Sequence, residues 1–221
     1  MMPDNAPAQP SQAPRWRRRK DARPDEIIAA ALEVFGEDGY AAAKLDDIAA
    51  KAGVSKGTLY LYFDTKEELF KAVIQSAIGQ NLAVAEDLTA SFTGPTPDLI
   101  RGIVTLLADR ILNSKLPRIL KLVIGELGRF PELGRYYHDE VISRGIALLT
   151  KIVKRGIERG EFRDLDPGPV ARLVIAPLLL SAVWKGAIEP LGGAPLDVAA
   201  MRDTHLDVLL TGLAKREGAP S

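Results

Sequence analysis

Residues 45–63 read Leu45-Asp46-Asp47-Ile48-Ala49-Ala50-Lys51-Ala52-Gly53-Val54-Ser55-Lys56-Gly57-Thr58-Leu59-Tyr60-Leu61-Tyr62-Phe63, and the punctuation of this stretch decides the fold. It predicts a short helix over about Leu45–Ala52, a four-residue turn, and a second helix from Ser55 to about Phe63. Leu45 and Ile48 face a core, and Ala49 is small where another helix crosses closely. Gly53 permits the turn backbone, Val54 plugs the corner, and Ser55 caps the next helix. Helix, tight turn and helix of this size form a helix-turn-helix, whose second helix enters the major groove of DNA. Lys56, Gly57, Thr58, Tyr60 and Tyr62 are expected on its exposed positions, able to meet phosphates or base edges. Gly57 lets the backbone approach closely, and the helix N-terminus favours a phosphate.

Working outward, Pro24 suits a first helical position, and Ile28, Ala31, Leu32 and Phe35 repeat as one buried stripe up to Gly39, expected as a left-handed cap. Downstream, Thr65-Lys66-Glu67-Glu68 is a capping box that opens a long helix, about Lys66 to Ser91. Gly94-Pro95-Thr96-Pro97 stops it, and further helices are expected at about 98–113, 116–128, 132–160, 168–189 and 196–216. Pro177 predicts a kink in the eighth. No run alternates with period two. The chain is therefore read as all-α, with about nine helices: a small N-terminal three-helix module and a larger C-terminal bundle.

Composition removes most other classes. The 221 residues suffice for one or two domains, and 47% hydrophobic with 26% charged residues is ordinary for a globular protein. The absence of cysteine excludes disulfides, thiolate metal sites and cysteine nucleophiles. His138 and His205 are far apart, His138-Asp139-Glu140 point different ways on a helix, and Asp164 and Asp166 lack a calcium-loop spacing, so no metal and no cofactor is expected. An acid–base enzyme built on Glu126 or Asp139 would leave the helix-turn-helix unexplained. Lys+Arg and Asp+Glu balance at 29 each, so net charge names no partner.

The first fourteen residues hold four prolines and no apolar run, which is not a signal peptide. The apolar stretch Leu173 to Trp184 is 12 residues, short of the roughly 20 a bilayer needs. A cytoplasmic protein without a membrane partner is expected. Residues 1–22 read as a disordered arm, 23–70 as the helix-turn-helix domain and 71–221 as the C-terminal domain. Within the arm, Arg15, Arg17, Arg18, Arg19 and Lys20 concentrate the basic charge. They are expected to follow phosphates or a minor groove, the other reading being a tail that aids solubility.

Phe35, Gly39-Tyr40, Leu45-Asp46-Asp47-Ile48-Ala49, Ala52 to Tyr60 and Tyr62 to Phe70 together resemble the N-terminal pattern of the TetR/AcrR family of bacterial transcriptional regulators over about 45 residues. The resemblance implies a homodimeric, ligand-responsive repressor on a pseudo-palindromic operator, released by a small hydrophobic effector. It places Ser55, Lys56, Gly57, Thr58, Tyr60 and Tyr62 at the DNA and Lys66 on a phosphate. Two positions depart from the pattern. Lys44 follows Ala43 where a hydroxyl cap is usual, so Lys44 itself is expected at a phosphate, and Leu61 is expected either to touch a thymine methyl or to pack.

The helix near 168–189 is apolar nearly all round and must be covered on two sides. With the final helix it is implied as the dimer interface, through Leu173, Leu180, Trp184, Leu206, Leu209, Leu210 and Leu213. A ligand cavity is implied as well, with Phe92, Leu106, Leu122, Phe130, Tyr137, Ile152 and Trp184 as candidate walls and Arg110 and Glu126 as candidate polar anchors. The alternative is a non-specific structural DNA-binding protein without an effector.

Overall fold

The computed structural model describes residues 15–114 and 116–215, with side chains from residue 23 onward. Nine helical rods follow one another among the described residues. Helix α1 is Arg15–Ala42, α2 is Leu45–Lys51 and α3 is Lys56–Tyr60. Rod α4 joins Lys66–Ile74, a π turn Gln75–Gly79 and Gln80–Ser91. Then come α5, Thr96–Leu112, and α6, Leu116–Glu126. Rod α7 joins Pro131–Tyr137, a π turn His138–Ser143 and Arg144–Glu158. Rod α8 joins Pro167–Val183, a π turn Trp184–Ile188 and a short 3-10 turn Glu189–Leu191. The last, α9, is Val198–Leu213.

Helix α1 starts earlier than Pro24. The backbone of residues 15–22, expected to be disordered, is helical, and Pro24 lies inside the helix. The run Arg-Lys-Ala consists of good helix formers, and one proline deletes only its own donor. The side chains of Arg15, Arg17, Arg18, Arg19 and Lys20, like residues 1–14, lie outside the described residues. Gly39 does not form the expected left-handed cap. Its φ of 79° and ψ of 163° fall in a region open essentially to glycine alone, and the chain makes one more short turn before Ala43.

The helix-turn-helix forms as its punctuation requires. Gly53 takes the left-handed φ of 66°, and Val54 N–H donates to the Ala49 carbonyl at 3.0 Å. The Ser55 hydroxyl accepts from Thr58 N–H at 3.1 Å. The Thr65 hydroxyl accepts from Glu68 N–H at 3.1 Å, while the Glu68 carboxylate reaches back to Asp64 N–H at 2.9 Å, one residue before the expected partner.

The N-terminal module and the bundle share one core. Phe35 meets Phe70 edge to face at 5.1 Å between centroids, Tyr40 lies 4.8 Å from Phe70, and Phe130 of the bundle lies 4.7 Å from Tyr40. Helix α1 packs on both α4 and α6, and α8 lies against α5, α6 and α7. Pro177 sits inside α8 without ending it, with the Ser181 hydroxyl donating to its carbonyl at 2.7 Å.

One face of α8 is left open. Val170, Ala171, Val174, Leu178 and Ala182 are buried, but Leu173 is 60% and Leu180 70% exposed. The 25-residue rod Pro167–Leu191, with an 18-residue window of mean hydropathy 1.5, is long and apolar enough by length and composition to cross a membrane, more than the 12 charge-free residues alone suggest. Its inner face is already packed on α5, α6, α7 and α9. On α9 the expected interface divides. Leu206 and Leu213 are buried in the protomer's own core, Leu209 and Leu210 pack partly against it, and Val208, not expected, stands out at the surface.

Candidate nucleic-acid interface and ligand cavity

Helix α3 is five residues long and is held by a single fully buried side chain, Leu59. That anchor turns the opposite face outward. Lys56 and Gly57 are exposed at its start, with Tyr60 41% and Leu61 81% exposed one turn on. Tyr62, expected in the same surface, instead packs partly against the core. It follows the end of α3, where the chain turns back toward Phe63. Leu61 does not pack against the core, the second of its two expected roles. Thr58 is half-buried, its hydroxyl 2.8 Å from that of Ser55, so these two groups stiffen the helix start. Lys44 is exposed at the N-cap of α2 and makes no side-chain cap. Lys51 ties α2 to α1 through Glu33 at 3.2 Å and Glu37 at 3.1 Å.

Lys56 pairs with Asp46 of α2, Nζ to Oδ1 2.7 Å, and this hydrogen bond raises its pKa. Both partners are exposed, so the pair contributes little to stability but competes with any phosphate for the ammonium. Asp46→Asn is therefore expected to leave the melting temperature within about 2 °C and to tighten duplex binding about two- to fivefold at low salt. Weaker binding by the variant would remove Lys56 from the interface.

Lys66 is a correction. Its ammonium donates to three carbonyls, Tyr40 at 2.8 Å, Ala41 at 3.1 Å and Ala43 at 3.0 Å, and sits 4.8 Å from the Tyr40 ring centroid. All three N–H donors are engaged, leaving none for a phosphate. Burial pushes its pKa down, against the pull of the Glu126 charge. Lys66 thus closes the end of α1, where the Gly39 conformation turns these carbonyls toward α4.

Inside the bundle a cavity of about 140 Å³ opens between α4, α5, α6, α7 and α8. Ile78 from the first π turn and Val141 and Ile142 from the second form part of its wall, along with Leu82, Ile103, Leu107, Leu120, Leu149 and Ile175. Among the described lining side chains only Asn81 and Tyr137 are polar. Asn81 is occupied, donating to the Ala77 carbonyl at 2.9 Å and accepting from Arg110 at 3.4 Å.

Of the nine candidate pocket residues, Tyr137 alone lines this cavity. Arg110 is exposed and touches it only through Asn81. Phe92 lies under the Arg155 guanidinium at 5.8 Å, and Ile152 is core. Leu122 and Glu126 border a separate polar cleft beside Arg118, Lys121 and Arg129, and Leu106 lines neither space. Phe130 meets Tyr40 edge to face, and Trp184 is at the surface with its indole N–H on the Ala194 carbonyl at 2.9 Å. The walls supplied by Ile78, Val141 and Ile142 had no signal, because a π turn shifts the facing of every later residue in its helix.

Residues 27–73 match the bacterial regulatory proteins of the tetR family, and residues 93–201 match the tetracyclin repressor-like C-terminal domain. The chain is 34% identical over 162 residues, 70% of its length and 81% of the other's, to the uncharacterized HTH-type transcriptional regulator YezE of Bacillus subtilis (strain 168). It is 26% identical over 211 residues to the fatty acid metabolism regulator protein of the same organism, covering 88% of this chain and 98% of that one. In fold it is similar to the crystal structure of FadR from Bacillus subtilis in complex with stearoyl-CoA, with a TM-score of 0.71, 22% identity, and coverage of 86% of this chain and 98% of the other. These are transcriptional regulators, not enzymes, and with its helix-turn-helix module and helical C-terminal domain this chain belongs to the tetR family of bacterial regulatory proteins.

Proposed function

We propose that the protein is a homodimeric, effector-released repressor of transcription, acting in the cytoplasm on a two-fold-symmetric operator. The outward face of α3, formed by Lys56, Gly57, Tyr60 and Leu61 around the Leu59 anchor, is the observation that carries this reading. A two-fold dimer would set two such helices about 34–36 Å apart, one in each of two successive major grooves. The effector reading rests on the cavity, whose almost wholly apolar wall suits a hydrophobic molecule. The stearoyl-CoA complex of a similar fold supports the same ligand character.

A route from cavity to DNA is short. Tyr137 lines the cavity, while its neighbour Tyr136 faces Lys71 of α4 at 5.6 Å and Phe130, at the start of α7, holds Tyr40. A ligand that shifts the first turns of α7 would move the N-terminal module with it. It lowers DNA affinity only by its differential affinity for the two conformers.

The test is titration of a duplex selected from a random pool, with and without a graded series of apolar compounds. At least one compound should weaken binding tenfold or more; release by none of them would leave a DNA-binding protein without an effector. Within the selected duplex, replacing single thymines by deoxyuridine deletes only the 5-methyl group. One thymine in each half-site is expected to lose about fourfold in affinity, the worth of one buried methylene-sized group, and to become insensitive in Leu61→Ala. No thymine behaving so would mean that Leu61 reads no base.

A further inference from the structure

Tyr137 is 6% exposed, and its hydroxyl is not among the fully enclosed unpartnered side-chain atoms of the described residues, of which Thr96 Oγ1 is the one. No described side chain or carbonyl is paired with it, and the residue borders the cavity. Burial is the only cause acting on it and pushes its pKa up to about 12, so it is a neutral phenol that can donate. A hydroxyl in so apolar a wall with no partner from the protein is a donor open to an acceptor that enters the cavity, where phenylalanine would supply the same ring without that donor. The ring lines a cavity in which the other polar side chain, Asn81, is already committed to Ala77 and Arg110. Among the described residues no lysine, arginine or histidine lines that cavity. A bare carboxylate in it would be an unpaired buried charge.

We infer that Tyr137 is the polar anchor of the effector site, and that the effector is an apolar molecule bearing one uncharged hydrogen-bond acceptor, a ketone, ester or thioester carbonyl, rather than a free acid. This rests on the cavity being an effector site, as proposed above. The carbonyl oxygen accepts from the Tyr137 O–H, while the hydrocarbon meets the Ile78, Leu107 and Leu149 side of the cavity. The volume, near the roughly 150 Å³ of an engineered cavity that holds benzene, suits a short chain or single ring, or one segment of a longer chain leading out of the cavity's open side. A site built on a buried donor discriminates sharply against ligands that leave the donor unpaired.

The probes are 2-nonanone, 2-methyl-1-nonene, in which a methylene replaces the carbonyl oxygen, and nonanoate, each titrated calorimetrically into the full-length protein and into Tyr137→Phe. Wild type should bind the ketone at least tenfold more tightly than either the alkene or the acid. In Tyr137→Phe the ketone and alkene should fall within twofold of each other, and the ligand-free variant should melt at the same temperature as wild type or higher. A lower melting temperature with the ketone preference intact would make the hydroxyl structural and overturn the assignment. Equal binding of ketone and alkene by wild type would overturn it too, while leaving the effector site standing. Tighter binding of nonanoate would overturn the exclusion of acids. Binding of none of the three would remove the effector site itself, and the anchor with it.

Discussion

Replacing Leu180 by arginine is expected to convert the protein into a folded monomer and to lower its affinity for a two-fold-symmetric duplex at least about 100-fold, the scale on which coupling two binding units raises avidity. Leu180 is 70% exposed and Leu173, two turns earlier on the same helix, 60%, with Leu191 and Val208 also open. These belong to α8 and α9, the helices for which the tetR pattern implies self-association. A two-fold interface uses each residue twice, and burying a leucine contributes about 1.5–3 kcal/mol. The variant loses that contribution at both copies and places an unpaired guanidinium in each, at a further cost. Leu179 would be a poor choice, because it also lines the cavity. Sedimentation at micromolar concentration reads the oligomer, and circular dichroism shows whether the monomer keeps its helices. A variant that stays dimeric would move the interface away from this face.

Lys66→Met is expected to lower stability by about 2 kcal/mol and the melting temperature by about 4–8 °C, without changing the salt dependence of DNA binding once folded protein is compared. The ammonium holds the carbonyls of Tyr40, Ala41 and Ala43, which close α1 where Gly39 breaks it. Methionine keeps the apolar stem and leaves three acceptors without that partner. A phosphate contact behaves in the opposite way, with stability nearly unchanged and the slope of log K against log salt reduced by about 0.9. A reduced slope at unchanged melting temperature would return Lys66 to the DNA.

The contrast between Lys66 and Lys56 shows how far residue order reaches. The helix-turn-helix was legible because its determinants are local: Gly53 for the turn, Ser55 for the cap and Leu59 for the anchor act within a few positions of each other. Whether a lysine beside that unit meets DNA depends on carbonyls 23 to 26 residues away, and no local pattern records them. The helix count was legible from Gly and Pro punctuation. The facing of the helices was not, since three of the rods carry π turns. For that reason Tyr137, just before its π turn, is legible, while Ile78, Val141 and Ile142 are not. Leu206 and Leu213 lie on α9, which has no π turn, and there the apolar stripe serves the protomer's own core as well as any outer face. At the start of α1 composition points to disorder, but helix propensity in Arg15–Ala22 outweighs the neighbouring proline-rich stretch.

Selection of duplexes from a random pool by the full-length protein, followed by titration of the winning sequence, tests the central claim most directly. The predicted result is a two-fold-symmetric sequence with half-sites about one helical turn apart, bound by two protomers at least about 10³-fold more tightly than random duplex. A pool that never converges, or a winner bound no better than random DNA, would contradict the account.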